Sequence, residues 1–175
     1  LVSVVCDQKG RSWVLTTHST YIYNRGKTKR YNQAFQRIIV SGQHVWLLNK
    51  QGRLAKYDER SFQLKFWHHK ELTDVVSDIS KLDDGRIVII ANSKLLLLSP
   101  DGRQVTCLKV KTPVQKVMED HQGRFWLLGV DGVLSVIDKE YRMLTRLEKI
   151  KTNRKCDIIN DKHGTVWIFT GNGDT

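Results

Sequence analysis

The chain has 175 residues, 29 Lys and Arg against 18 Asp and Glu, a formal net charge of +11, and three cysteines. At this length one domain is the default, and the absence of any run of 18 apolar residues excludes a helical membrane span within it. Cys6, Cys107 and Cys156 form neither an even-numbered disulfide framework nor a metal-ligand spacing, so they read as small buried hydrophobes.

Turn residues cut the sequence into short apolar or alternating runs. No window of a dozen residues carries the i, i+3, i+4, i+7 pattern, so no helix is predicted. The first repeat predicts strands over Val2–Cys6, Ser12–Thr16, Thr20–Tyr23 and Thr28–Tyr31. The second predicts them over Arg37–Val40, His44–Leu48, Leu54–Tyr57 and Leu64–His68. The third gives Asp78–Lys81, Ile87–Ala91, Leu95–Leu98 and Val105–Val110, and the fourth gives Val114–Glu119, Arg124–Leu128, Val133–Ile137 and Tyr141–Leu147. A fifth repeat stops after Cys156–Ile159 and Val166–Thr170.

A phrase recurs between the first and second strands. Asp7-Gln-Lys-Gly10-Arg-Ser-Trp13, Asp120-His-Gln-Gly123-Arg-Phe-Trp126 and Asp161-Lys-His-Gly164-Thr-Val-Trp167 are its best copies. Trp46 keeps the position in an eroded copy, and Val88 replaces the Trp in Asp84-Gly85-Arg-Ile-Val88. Trp13 to Trp167 is four steps over 154 residues, a period in the range of stacked or radial repeats. The second strand of each repeat is apolar on both faces, as in Trp46-Leu-Leu48 and Ile87-Val-Ile-Ile90, so it must lie between neighbouring sheets. The expected fold is all-β: a β-propeller fragment of four complete four-stranded antiparallel blades and a partial fifth. The blades fall at about residues 1–35, 36–76, 77–114, 115–153 and 154–175, forming a single partial propeller. Seven blades would need about 270 residues at this period, so the chain is expected to be a piece of a longer protein.

The phrase Asp-x-x-Gly-x-x-Trp, followed by Gly-[Val/Leu] and a hydrophobic-x-hydrophobic-Asp, resembles the two-component regulator propeller repeat. The likeness is carried by Met118-Glu-Asp-His-Gln-Gly-Arg-Phe-Trp-Leu-Leu-Gly129, Asp131-Gly-Val-Leu134, Ile137-Asp138 and Ile158–Thr170. It covers the whole chain, with repeats two and three departing from it. The sialidase Asp-box is the rival reading, but its Asp-to-Gly gap is one residue shorter and is preceded by a Ser. WD40 repeats need a Gly-His start and a Trp-Asp end, both absent here. The resemblance implies an extracytoplasmic, periplasmic sensor segment of a hybrid histidine kinase, with the kinase core elsewhere in the full-length chain. It also implies a glycan-responsive role in signal transduction and transcription control. A propeller hydrolase or lyase and a protein-interaction scaffold are the alternatives.

No Gly-x-Ser-x-Gly elbow or P-loop occurs, and neither a catalytic residue nor a cofactor is assigned. Asp7, Asp120 and Asp161 recur at one repeat position, which marks a turn device rather than a catalytic carboxylate. His68 and His69, taken as strand neighbours, would point to opposite faces and could not chelate one metal ion. The charged residues expected on the innermost strands are Arg37, Asp78, Lys81, Lys116, Glu119, Lys155 and Asp157. Cations recur at the outer strands and the crossovers between blades, which share one face with the turns between second and third strands. That face nominates His18, Lys50, Lys94, Lys111, Arg154 and Lys155 as ligand-binding residues. By the resemblance, the ligand is an oligosaccharide, acidic or sulfated, held by charge-assisted hydrogen bonds. Aromatic residues track the repeat instead of clustering with Arg, so no nucleic acid is expected as a partner through this segment. Open blade edges are expected to drive self-association.

Overall fold

The computed structural model describes residues 2–92, 94–110, 112–147 and 156–170. Their regular structure is entirely β. The first blade is β1 (Ser3–Cys6), β2 (Ser12–Leu15), β3 (Thr20–Asn24) and β4 (Lys27–Tyr31). The second is β5 (Phe35–Ser41), β6 (His44–Asn49), β7 (Leu54–Asp58) and β8 (Gln63–Phe66). The third is β9 (Asp78–Lys81), β10 (Ile87–Ala91), β11 (Lys94–Leu98) and β12 (Val105–Lys109). The fourth is β13 (Val114–Glu119), β14 (Phe125–Gly129), β15 (Leu134–Ile137) and β16 (Met143–Leu147), and β17 (Cys156–Asn160) pairs with β18 (Val166–Thr170) in a fifth. Each sheet is an antiparallel meander in sequence order.

The first strands of successive blades pack on one another, β1 on β5, β5 on β9, β9 on β13 and β13 on β17, and so line a common axis. Doubly apolar second strands put the core between blades, as the pattern requires. Ile87–Ala91 is buried at every position. Trp13 fills the space between blades one and two, against Phe35, Val45, Leu47 and Ala55. Trp46 does the same against Ile87, Ile89 and Leu96 of blade three. Trp126 packs on Ile158, Val166 and Ile168 of blade five.

The aspartate phrase is a turn and a brace in one. Asp7 Oδ1 accepts the backbone N–H groups of Lys9 and Arg11 at 2.9 and 3.0 Å, while Oδ2 accepts Arg11 Nε at 2.6 Å and Trp13 Nε1 at 2.8 Å. Asp120 repeats the pattern with Gln122, Arg124 and Trp126, and Asp161 repeats it with His163, Thr165 and Trp167. The side chain therefore satisfies the turn's donors and fixes the indole orientation. Gly10 closes the first of these turns at φ +73°, a conformation that costs glycine little. In the eroded copy no Asp is available, and Trp46 Nε1 instead donates to the Pro100 carbonyl of blade three at 2.9 Å. A Cβ on Gly102 would lie 2.8 Å from that indole, so only glycine lets the two blades close.

Four expectations need correction. Cys6 is exposed on β1 and Cys107 only partly buried, so neither is a fully buried hydrophobe. β8 ends at Phe66, so His68 and His69 are not strand neighbours. His69 stacks on Trp67 with ring centroids 5.5 Å apart and accepts the Glu71 N–H, while His68 is exposed. Tyr141 precedes β16, because the turn closed by Asp138 holds it at φ +66°. Trp167 lies on the outward face of blade five, 51% exposed, where the other ruler positions are packed between blades.

Candidate functional site

The most organised polar cluster lies beside the axis. β5 and β13 each carry a one-residue bulge near their start, at Gln36 and Gln115, and the residue after each bulge is a cation, Arg37 or Lys116. A bulge re-aims the side chain that follows it. Between them on β9 sits Asp78, 7% exposed. Its Oδ1 accepts Arg37 Nε at 3.0 Å and the Ile79 N–H at 2.9 Å, and its Oδ2 accepts Lys116 Nζ at 2.6 Å. One carboxylate thus ties together three blades.

These residues share a register position. Arg37 pairs with Leu48, Asp78 with Ile90, Lys116 with Leu128 and Asp157 with Phe169. In each case the partner lies two residues beyond the Trp position of its repeat. The repeat therefore writes plus, minus, plus, minus along the inner strands of four blades. Sequence reasoning assigned all four residues to the innermost strands. It missed the alternation, which aligning the repeats on the Trp position would have exposed.

Below this ladder the axis opens into a cavity of about 470 Å³ bounded by β5, β9, β13 and β17. Ser80, Lys81, Asp83, Lys116, Glu119 and Asn160 supply its polar groups, and Ile39, Ile79, Ile158 and Ile159 supply apolar wall. Burial pushes the Glu119 carboxyl above its ordinary value despite the hydrogen bond it accepts from the Asp83 N–H. Asn160 Oδ1 is buried and accepts no hydrogen bond.

The residues nominated from sequence are spread along the arc. His18 is exposed in the β2–β3 turn, its Nδ1 2.8 Å from Thr17 Oγ1. Lys50 is exposed in the β6–β7 turn. Lys94 opens β11 and donates to Thr73 Oγ1, in the crossover between blades two and three, at 3.2 Å. These three share the face on which the crossovers run, on three different blades, and none lines the axial cavity. Lys111, Arg154 and Lys155 lie outside the described residues. The ladder's end at Asp78 opens on the same face, since β9 begins there.

On the opposite face a second ion network crosses blades. Arg11 contacts Asp7 and also meets Glu59 of blade two with both terminal nitrogens, at 2.5 and 2.9 Å, over the Tyr57 ring. Burial would raise the Asp7 carboxyl, but hydrogen bonds from Trp13 and Arg11 outweigh it and hold the group below its ordinary value. The Arg11 hydrogen bond lowers Glu59 as well. Burial pushes the Tyr57 hydroxyl up to about 12.

No protein-family model matches the chain, and no curated protein does either. Solved structures do match. Virginiamycin B lyase from Staphylococcus aureus is similar over 94% of the chain, with a TM-score of 0.70 and 13% identity. The extracellular domain assigned to a hybrid two component system of B. thetaiotaomicron is similar over 98%, with a TM-score of 0.70 and 18% identity. PorZ, a bacterial surface component of the type-IX secretion system of Porphyromonas gingivalis, is similar over 97%, with a TM-score of 0.66 and 13% identity. The chain spans 61% of the lyase, 26% of the two-component domain and 27% of PorZ. Such identities establish the fold, a run of β-propeller blades, and fold alone does not carry function.

Proposed function

We propose that this chain is an extracytoplasmic, ligand-sensing propeller segment of a two-component regulatory protein of the hybrid histidine kinase kind, responding to an oligosaccharide with acidic or sulfate groups. The observation that carries the reading is the repeat phrase itself, whose resemblance to the two-component regulator propeller coincides with likeness to the extracellular domain of such a system. The ligand face is the one bearing the second-to-third-strand turns and the crossovers, with His18, Lys50, Lys94, Lys111, Arg154 and Lys155 as its contacts. Ammonium and guanidinium groups there would hold carboxylate or sulfate by charge-assisted hydrogen bonds. Arg37 adds to this face: only its Nε is engaged by Asp78, and its side chain is 52% exposed.

Likeness to a lyase raises the enzyme reading. Both oxygens of Asp78 are occupied by hydrogen-bond donors, and among the described residues no histidine lines the axial cavity. That carboxylate braces and binds and is not free to exchange a proton, so an enzyme reading would have to rest on Glu119, whose carboxyl burial raises.

Self-association belongs to the same reading. Val4 and Tyr23 are exposed on the face of blade one opposite Trp13, and Ile159, Trp167 and Phe169 are exposed on the outward face of blade five. Apolar sheet faces of this kind recruit partners. Light scattering on the 175-residue chain should give a mass above that of the monomer.

Calorimetry on the intact sensor region tests the ligand. Titrating acidic, sulfated and neutral oligosaccharides into wild type and a Lys111→Glu, Arg154→Glu variant should show tightest binding for an anionic glycan and loss in the variant. Unchanged affinity in the variant removes this face. A neutral glycan binding tightest removes the anion.

A further inference from the structure

The tryptophan ruler has one gap, and the fold has a hole beside it. At the seams between blades one and two, two and three, and four and five, the ruler position on the second strand, three residues after the turn glycine in the first and last and four in the eroded copy, holds Trp13, Trp46 and Trp126. At the seam between blades three and four it holds Val88, fully buried. Val88, Leu95 and Leu97 on one side and Val117, Phe125 and Leu127 on the other form that seam. Toward the outer strands the two sheets part, and a cleft of about 530 Å³ opens between β12 and the β15–β16 hairpin. A small void that reaches Val88 adjoins its floor, sharing Leu95, Leu108, Leu127, Ile137 and Tyr141 with it.

We propose that this cleft is a binding site for a small apolar molecule carrying one anionic group. Its volume falls in the range of small-molecule sites, and apolar walls with a few placed polar groups are the usual lining. Its floor is aliphatic and its walls are mostly apolar, with Thr112 and Ser135 the small polar residues among them, so an apolar body gains more there than water does. Its far wall is held in place. Tyr141 stacks near Phe125, centroids 6.0 Å apart, and its hydroxyl receives Arg86 Nη1 at 3.3 Å. Among the described residues the charged side chain that faces the cleft is a cation, Arg146 on β16, exposed at the outer strand and in register with Ser135; Lys109 borders the cleft through its backbone, because on β12 it shares the face of Cys107, which packs toward blade two. Among the described residues no carboxylate lines the cleft. An alkyl or aryl body therefore enters the seam, and its acid group remains at the rim against Arg146. This site is independent of the oligosaccharide face proposed above.

Decanoate is a suitable probe, with decanol as its uncharged counterpart. Calorimetry and methyl-labelled NMR on the 175-residue chain should show saturable one-to-one binding of decanoate, with shifts at the Leu95, Leu108, Leu127 and Ile137 methyls. Val88→Trp, which restores the ruler residue, should abolish both. A surface variant, Arg146→Glu, keeps the proposal testable if the tryptophan is not accommodated. It should weaken decanoate by about tenfold or more and leave decanol unchanged, because a charge-assisted contact is lost. Shifts confined to Val4 or Ile159 on the terminal faces, or a folded Val88→Trp variant that binds like wild type, would overturn the site. Equal affinity for decanol and decanoate in wild type would overturn its anionic part.

Discussion

The seam between blades one and two and the seam between blades three and four are built from the same repeat, yet one is sealed and the other open. At the first, Trp13 is 0% exposed, pinned by Asp7, set edge-on to Tyr57 with centroids 5.0 Å apart, and bordered by the Arg11–Glu59 pair. At the other, Val88 takes the tryptophan's place and Asp84 has no indole to hold. Its carboxylate receives only the Arg86 backbone N–H and Nε, at a half-exposed turn. A propeller repeat thus uses one aromatic residue both to fill a wedge and to anchor the turn that aims it. When the residue goes, both functions lapse together and the outer strands separate.

The largest contrast should appear on truncation. Trp13→Ala should cost about 3–5 kcal/mol of stability, while Val88→Ala, which removes less buried apolar volume, should cost about 1–2 kcal/mol. Chemical denaturation of the two variants measures the gap. Equal costs would mean that the tryptophan is not the packing element of its seam.

Next comes the turn carboxylate. Asp7→Ala leaves a buried Trp13 N–H and two turn amides unpaired, so it should cost about 2–3 kcal/mol. The equivalent change at half-exposed Asp84 should cost less than about 1 kcal/mol. A large loss at Asp84 would show that the open seam is anchored by its turn after all.

Acid should act on the sealed seam first. Asp7, Glu59 and Asp120 are all held below their ordinary values in the fold. The unfolded chain then binds more protons, so their stabilisation is fully present above the ordinary carboxylate range near pH 4 and is lost as pH falls through the folded values. Glu119, raised by burial, runs the other way and stabilises less as pH rises. Melting temperature should therefore drop below about pH 4, and Asp7→Asn should flatten that drop. A variant with the wild-type slope would remove Asp7 from the acid response.

Much of this was legible in the residues because turn chemistry and strand pattern agree. Asp-x-x-Gly marks each first turn, and the doubly apolar runs at Trp46–Leu48 and Ile87–Ile90 allow nothing but sandwiched strands. The inner-strand cations and acids were legible by strand position alone. Their joining through Asp78 depends on bulges at Gln36 and Gln115, which leave no mark on hydrophobic alternation. The cleft was written as an absence, Val88 where Trp recurs. Its size depends on how far β12 and β16 separate, which pattern does not encode. Of the nominated cations, His18, Lys50 and Lys94 lie on the face that carries the crossovers, but pattern does not encode whether the blades bring them within reach of one ligand.

The smallest effect should come from the last tryptophan on the ruler. Trp167 makes the same bond to its aspartate as Trp13 does, Nε1 to Asp161 Oδ2 at 3.0 Å, but 51% of its surface is exposed and no described blade lies against its outward face. An indole that buries little contributes little, so Trp167→Ser should shift folding stability by less than about 1 kcal/mol. Its apolar area sits with Ile159 and Phe169 on an uncovered sheet face, and there the same substitution should reduce the chain's self-association. Sedimentation or light scattering against concentration separates the two quantities. A destabilisation matching that of Trp13→Ala would mean that the phrase stabilises its own blade through the aspartate bond. Seam filling would then be secondary, and the contrast between the two seams would have to be rebuilt on the turn instead of the ring.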